Sequence, residues 1–253
     1  MRCLLLLITL VPSVASAIVN IESMRVDTER EGASGSFSLS ASGASGNSDT
    51  STAALGTYIQ NRRGERTDFA ILTYNYGSSD GEKNVDRTLL HLRHVQGFAP
   101  RQAWEAFVQW QKDEFKRLSH RGLLGGGLRW DLNHSGKADS RLYVGAGAFY
   151  ENERLEPRAG TTDAGTETTV RGNFYLSLQQ PLSENATLAS TTYFQPSLKQ
   201  FSDRRLVEQG VLFVEINTST RIKVSLDVSY DSEPPQDVKK TDVTYTTGID
   251  WSF

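Results

Sequence analysis

Apolar and polar residues alternate with a period of two along most of this 253-residue chain. Side chains of an extended strand project to opposite faces in turn, so this period predicts strands that are apolar on one face only. The alternation comes in segments of about ten residues parted by turn residues. The first starts near Ser34, places Phe37, Leu39 and Ala41 on one face, and ends at Ser45-Gly46-Asn47-Ser48. Ala53, Leu55, Thr57 and Ile59 mark a second segment, which breaks at Arg62-Arg63-Gly64-Glu65. Ala70, Leu72, Tyr74 and Tyr76 mark a third, turning at Ser78-Ser79-Asp80-Gly81, and residues 85–95 a fourth with Thr88, Leu90 and Leu92 outward. In the fifth, Trp104, Ala106, Val108 and Trp110 oppose Glu105, Gln109 and Gln111.

The second half repeats this grammar. Leu124 to Trp130, Leu142 to Tyr150, Val170 to Leu178, Leu212 to Ile216 and Ile222 to Tyr230 each oppose polar or glycine positions, and the Thr- and Ser-rich stretch 186–196 alternates least clearly. With a closing run from Val243 to Phe253 the count is about 12, an even number as bacterial single-chain membrane barrels require. The expected fold is therefore all-β: a transmembrane antiparallel up-and-down β-barrel. Connections should alternate between short periplasmic turns (61–66, 96–102, 133–139, 180–185, 217–220) and longer outer loops (112–121, 152–167, 197–205, 231–241).

The closing run puts Val243, Tyr245, Thr247, Ile249, Trp251 and Phe253 on one face and Asp242, Thr244, Thr246, Gly248, Asp250 and Ser252 on the other. An apolar-out strand ending on a C-terminal Phe resembles the assembly signal of bacterial outer-membrane barrels, with Tyr245, Ile249, Trp251 and Phe253 as its residues. That resemblance implies the barrel-assembly machinery as a partner during insertion. Tyr76, Trp104, Trp110, Trp130, Tyr150 and Tyr230 are candidates for the aromatic girdles at the two membrane interfaces, where amphipathic rings settle. The opposite parity sends Arg87, Arg93, Glu105, Arg129, Asp131, Arg141, Glu151, Arg171, Glu215, Lys223 and Asp227 into the lumen. Both signs are mixed, which predicts cross-strand pairing, and inward Tyr143, Phe149, Tyr175 and Phe213 narrow the bore. A narrow or largely filled lumen is expected rather than an open pore.

The N-terminus agrees with export. Met1-Arg2, the apolar Leu4 to Val11 and Ala15-Ser16-Ala17 have the form of a cleavable signal peptide, and the apolar run is too short to span a bilayer. The expected organisation is a signal peptide over 1–17, a short periplasmic segment over 18–32 and an outer-membrane barrel over 33–253. Loss of residues 1–17 removes one Arg and no acid, leaving 26 basic against 30 acidic side chains, net −4. A mildly acidic chain lacks the basic face that nucleic-acid binding needs. The lone cysteine, Cys3, precedes the cleavage site, so the mature chain has no disulfide or thiol chemistry. The mean hydropathy of −0.43 does not argue against a membrane protein, because barrel strands are apolar on one face only.

Candidate chemistry is thin. His91 and His94 fall on opposite faces of one strand, and His120 and His134 fall in loops at opposite ends, so no zinc site is expected. Gly125-Gly126-Gly127 lacks the Lys-Ser/Thr of a phosphate-binding loop and reads as strand glycine at a close approach. No serine is marked as a nucleophile, so neither catalytic residues nor a cofactor are assigned and the chain is not expected to be an enzyme. Lys116, Arg117, His120 and Arg121 form a basic cluster after the fifth strand, suited to lipopolysaccharide phosphates among the outer-membrane lipids. Glu151, Glu153 and Glu156, interleaved with Arg154 and Arg158, are expected to pair locally.

Val19-Asn20-Ile21-Glu22-Ser23, Ser45-Gly46-Asn47-Ser48, Tyr230-Asp231-Ser232-Glu233-Pro234-Pro235 and Trp251-Ser252-Phe253 together resemble an outer-membrane family of unknown function that includes the salt-induced outer-membrane proteins of Gram-negative bacteria. The resemblance implies a small barrel in the cell outer membrane and carries over no activity, ligand or catalytic residue. The expectation is a monomeric barrel acting as a narrow channel or as a structural, stress-related envelope component. The alternatives are a lipid-modifying barrel enzyme and a soluble secreted all-β binding protein.

Overall fold

A computed structural model of the protein describes residues 31–44, 50–133 and 140–253, with side chains left aside at 42–44 and 50. The signal peptide over 1–17, nearly all of the 18–32 segment, the first turn at 45–48 and His134 lie outside these residues. The described chain forms twelve strands: β1 (Gly32–Ala44), β2 (Thr50–Arg63), β3 (Arg66–Ser79), β4 (Glu82–Ala99), β5 (Gln102–Asp113), β6 (Leu118–Asp131), β7 (Arg141–Leu155), β8 (Gly165–Ser183), β9 (Ala186–Pro196), β10 (Arg204–Glu215), β11 (Thr220–Asp231) and β12 (Thr241–Ser252). Each pairs antiparallel with its sequence neighbours and β1 pairs with β12, so the sheet closes on itself and leaves no free edge.

Period-two burial follows the sequence alternation. On β5, Glu105, Phe107, Gln109, Gln111 and Asp113 are buried inward while Trp104, Ala106, Val108 and Trp110 face out. The strands outrun their apolar stripes: β4 starts at Glu82 and β8 runs 19 residues to Ser183. The connections are correspondingly shorter than expected, with 114–117 in place of 112–121 and 156–164 in place of 152–167. His120 consequently sits on β6, where its Nδ1 accepts the outward Trp110 indole N–H at 3.0 Å. At one end of the barrel lie residue 32 and Phe253 with the tight turns after β2, β4 and β8; the other carries the longer loops 156–164, 197–203 and 232–240.

The outward surface is mostly apolar, and among its polar breaks are two carboxylates: Asp68 on β3, against His94, and Glu208. Glu208 on β10 faces outward and accepts hydrogen bonds from Ser190 (2.7 Å) and Thr192 on β9. Inside, rings form a belt across the wall: Tyr58–Phe69 (5.8 Å), Phe69–His91 (6.1 Å), His91–Phe107 (5.6 Å) and Phe107–Phe149 (6.3 Å). Glycine makes room for them. A Cβ on Gly125 would lie 2.6 Å from the Phe107 ring, and one on Gly145 would fall inside the Tyr175 ring.

Candidate functional site

The lumen gathers the largest share of polar chemistry among the described residues, and its two sides differ. From β2 round to β11 lie most of the large or charged inward side chains, Arg221, Lys223, Asp227 and Asp231 on β11 among them; along β12 and β1 most inward positions are Ser, Thr or Gly.

On the crowded side the charges pair across the bore. Near the loop end, Glu151 on β7 accepts from three guanidinium groups: Arg121 on β6 and Arg205 on β10 at Oε1, and Arg171 on β8 at Oε2 (2.7 Å). Arg171 also holds Asp203 bidentately at 2.9 and 2.8 Å. Arg205 reaches Glu153 at 3.2 Å and Asp231 at 2.7 Å. Because Glu151 and Arg205 stand three strands apart in the barrel, this cluster spans a chord of the lumen. The acids of the 151–156 stretch therefore do not all pair locally: Glu151 and Glu153 bind inward arginines of other strands.

A second chord lies toward the other end. Arg93 donates to Glu105 at 3.3 Å, the Tyr175 hydroxyl donates to the same carboxylate oxygen at 3.1 Å, and Arg129 donates to the Tyr175 oxygen at 3.4 Å. Arg129 also stacks on Tyr143 at 3.8 Å, and Arg93 lies over Phe107 at 5.3 Å. Polar side chains extend the network along the wall: His91 Nδ1 meets Gln109 at 3.0 Å, and Gln60 donates to Ser34 at 2.9 Å. Such satisfaction is what the water-poor interior of a narrow barrel demands.

Three of the connections at the loop end are tied together. Asp113 caps a short 3-10 turn, Glu114–Lys116, and Arg117 follows with φ +60°. Arg117 donates to the carbonyls of Glu156 (3.0 Å) and Gln236 (3.3 Å) and pairs with Asp163 at 2.7 Å. The Gln236 N–H donates to Asp163 at 2.7 Å, and the Gln236 side chain accepts the Thr162 N–H at 3.0 Å. Lys116 crosses to Asp242 on β12 at 2.7 Å. The four basic residues of the 116–121 stretch thus form no exposed patch: Arg117 and Arg121 are buried and paired, and Lys116 is ion-paired.

The open side keeps space. A cavity of about 120 Å³ at mid-barrel is bounded by hydroxyl and amide side chains with Arg87, Lys223 and Asp227. On the crowded side a separate space of about 270 Å³ opens toward the chain termini against β2–β7, beside Arg62, Arg101, Arg129 and Asp131, and a third of about 60 Å³ lies under the loops beside Lys116, Arg205 and Asp242.

Of the lumen charges expected from parity, Arg93, Glu105, Arg129, Glu151 and Arg171 are buried in the two chords. Lys223 and Asp227 face the cavity, Asp131 lines the terminal space, Arg141 is half-buried on β7, and Glu215 is exposed on the rim. Arg121, Arg205, Arg221, Asp231 and Asp250 were missing from that set; Arg221 pairs with Asp250 at 2.6 Å. Their inward parity was the available signal, and each lies near a strand end, outside the clearest part of the alternation. The aromatic candidates all face outward in two tiers, with Tyr76, Trp110, Tyr150 and Tyr230 toward the loop end and Trp104, Trp130 and Trp251 toward the chain termini. His91 is buried inward, whereas His94 faces out against Asp68 (2.6 Å) and the Trp104 ring (4.8 Å). No group of three or more metal-ligating side chains occurs among the described residues.

The family described as "Protein of unknown function, DUF481" matches residues 37–253. No curated protein matches the chain. Among solved structures, the translocator domain of the autotransporter NalP from Neisseria meningitidis is similar at 15% identity over 87% of each chain, with a TM-score of 0.50. The NanC porin is similar at 9% identity over 87% of this chain and 98% of that one, with a TM-score of 0.52. At such identities the likeness is one of fold: a closed barrel of the outer-membrane type.

Proposed function

This chain belongs to the DUF481 family of proteins of unknown function, and from that footing we propose that it is an integral outer-membrane barrel forming a narrow passage for small polar solutes. The register supports membrane insertion. Trp251 pairs with Thr220, and Tyr230 lies ten positions further along the same strand. Ten residues cover about 33 Å along the strand, or about 25 Å across the membrane at a tilt of about 40°, the height of a barrel's apolar band. Ile222, Val224 and Leu226 face outward between them.

The observation that carries the channel reading is the asymmetric lumen. Charge chords brace the β4–β10 wall, while the β12–β1 side, lined mainly by Ser, Thr and Gly, borders unfilled space at mid-barrel. A purely structural barrel has no need to keep that side small and polar. Planar-bilayer recording on the refolded protein tests this. Stepwise currents well below those of an open pore are expected, and a silent bilayer from protein with normal heat-modifiable gel mobility would favour the structural, stress-related role instead.

The enzymatic alternative finds half of a site in the outward His94–Asp68 pair. The outward residues beside His94 on the paired and same strands, Ala106 and Leu92, carry no hydroxyl or thiol, so no catalytic role is proposed.

A further inference from the structure

The mid-barrel cavity brings together donors that lack acceptors. Lys223 on β11 lines it and has neither a hydrogen-bond partner nor an ion pair among the described residues. Of the nearby carboxylates, Asp250 accepts from Arg221 at 2.6 Å, and Asp227, which accepts from the neutral Gln209 amide, lines the same cavity as the single acid beside Arg87 and Lys223. Thr73 Oγ1 and Thr244 Oγ1, from β3 and β12, are buried without a partner and belong to the same cavity wall. Ser38, Ser40 and Thr246 add further hydroxyls. An ammonium facing a confined space between low-dielectric walls is costly unless an anion meets it.

We propose that this cavity binds a small monocarboxylate solute, with Lys223 as its charge contact and the Thr73 and Thr244 hydroxyls as donors to its oxygens. With Arg87 and Lys223 set against Asp227, the lining carries one net positive charge, which one monoanion balances. A cavity of about 120 Å³ admits a solute of only a few non-hydrogen atoms. Hydroxyls can both donate and accept, so they suit the carboxylate and any hydroxyl beside it. The inference deepens the channel reading and rests on it for access to the lumen, but binding is measured independently of current.

The test uses the refolded full-length barrel in detergent micelles, with binding of 13C-labelled acetate followed by NMR line broadening. Saturable binding is expected, weakened about tenfold or more in Lys223→Gln, as loss of one charge-assisted hydrogen bond requires. Lys239→Gln, on an exposed loop residue, should bind as the parent does. Thr244→Val is the second variant, should Lys223→Gln lose heat-modifiable mobility, and is also expected to weaken binding. No saturable binding, unchanged binding in Lys223→Gln or Thr244→Val, or inorganic phosphate binding as tightly as acetate would each overturn the assignment. Acetate binding by a barrel that conducts nothing would refute the channel and leave the site standing; currents without acetate binding would do the reverse.

Discussion

Glu151 is the residue on which the crowded half of the lumen turns. Three guanidinium groups converge on it, and only two have substantial alternatives: Arg171 keeps Asp203, and Arg205 keeps Asp231 and Glu153. Among the described residues Arg121 keeps Glu153 alone, at 3.6 Å. Removing one partner of a buried ion cluster costs more than the cluster contributes net, because the remaining charges stay desolvated. Glu151→Gln is therefore expected to destabilise the barrel by about 3 kcal/mol or more, read as a lower urea midpoint for unfolding in micelles. Glu153→Gln should cost clearly less, since Glu153 is the more solvated carboxylate. Equal midpoints for Glu151→Gln and the parent would show that the arginines find water instead, and that this part of the lumen is wet.

At the scale of elements, the closing seam is the weakest joint. β1 and β12 share four register pairs, Ser36↔Ser252 to Leu39↔Ile249, whereas β11 and β12 share eleven. Two further bonds link Gly35 and Phe253, N–H to carbonyl in each direction at 3.1 and 3.0 Å. The Phe253 ring packs over Gly35, and Phe37 stacks with Trp251 at 6.3 Å. Deleting Phe253 removes both backbone bonds and the ring, while Phe253→Ala removes the ring alone. Both should lower the yield of heat-modifiable barrel, the deletion more; undiminished yield from the deletion would show that the seam closes without its last residue. This strand was legible in the sequence because its outward face crosses the apolar band and so alternates sharply. β9 was the least legible for a physical reason now visible: outward Ser190 and Thr192 are there to hold Glu208, which breaks the apolar stripe on two strands at once. Strand ends were missed because beyond the band both faces meet water. Cross-strand pairing of the inward charges was legible from their mixed signs, but the longer-range partners were not, since Glu105 and Tyr175 are 70 residues apart and meet only once the sheet has closed.

For the molecule as a whole, a closed barrel fixes the lumen's shape but not its access, and at the loop end three of the described connections are joined by one latch. Three connections, 114–117, 156–164 and 232–240, meet at Arg117, whose left-handed backbone aims its guanidinium back across the opening. Asp163 completes the latch. Partial burial pushes its carboxyl up, but the Gln236 N–H and the Arg117 guanidinium outweigh that and hold it below its ordinary value of 3.8. A carboxyl lowered in the folded state stabilises fully above its unfolded pKa, and that contribution fades as pH falls through the folded value. The latch should therefore be closed at neutral pH and loosen only in acid below about pH 4. Amide hydrogen exchange reads it directly, because the Thr162 and Gln236 N–H groups are bonded within the latch. Arg117→Ala should expose both amides at pH 7 while strand amides stay protected. In the parent the same loss should appear only on acidification, and protection persisting to about pH 2 would remove Asp163 from the closure and leave the arginine's carbonyl bonds to hold the loops alone.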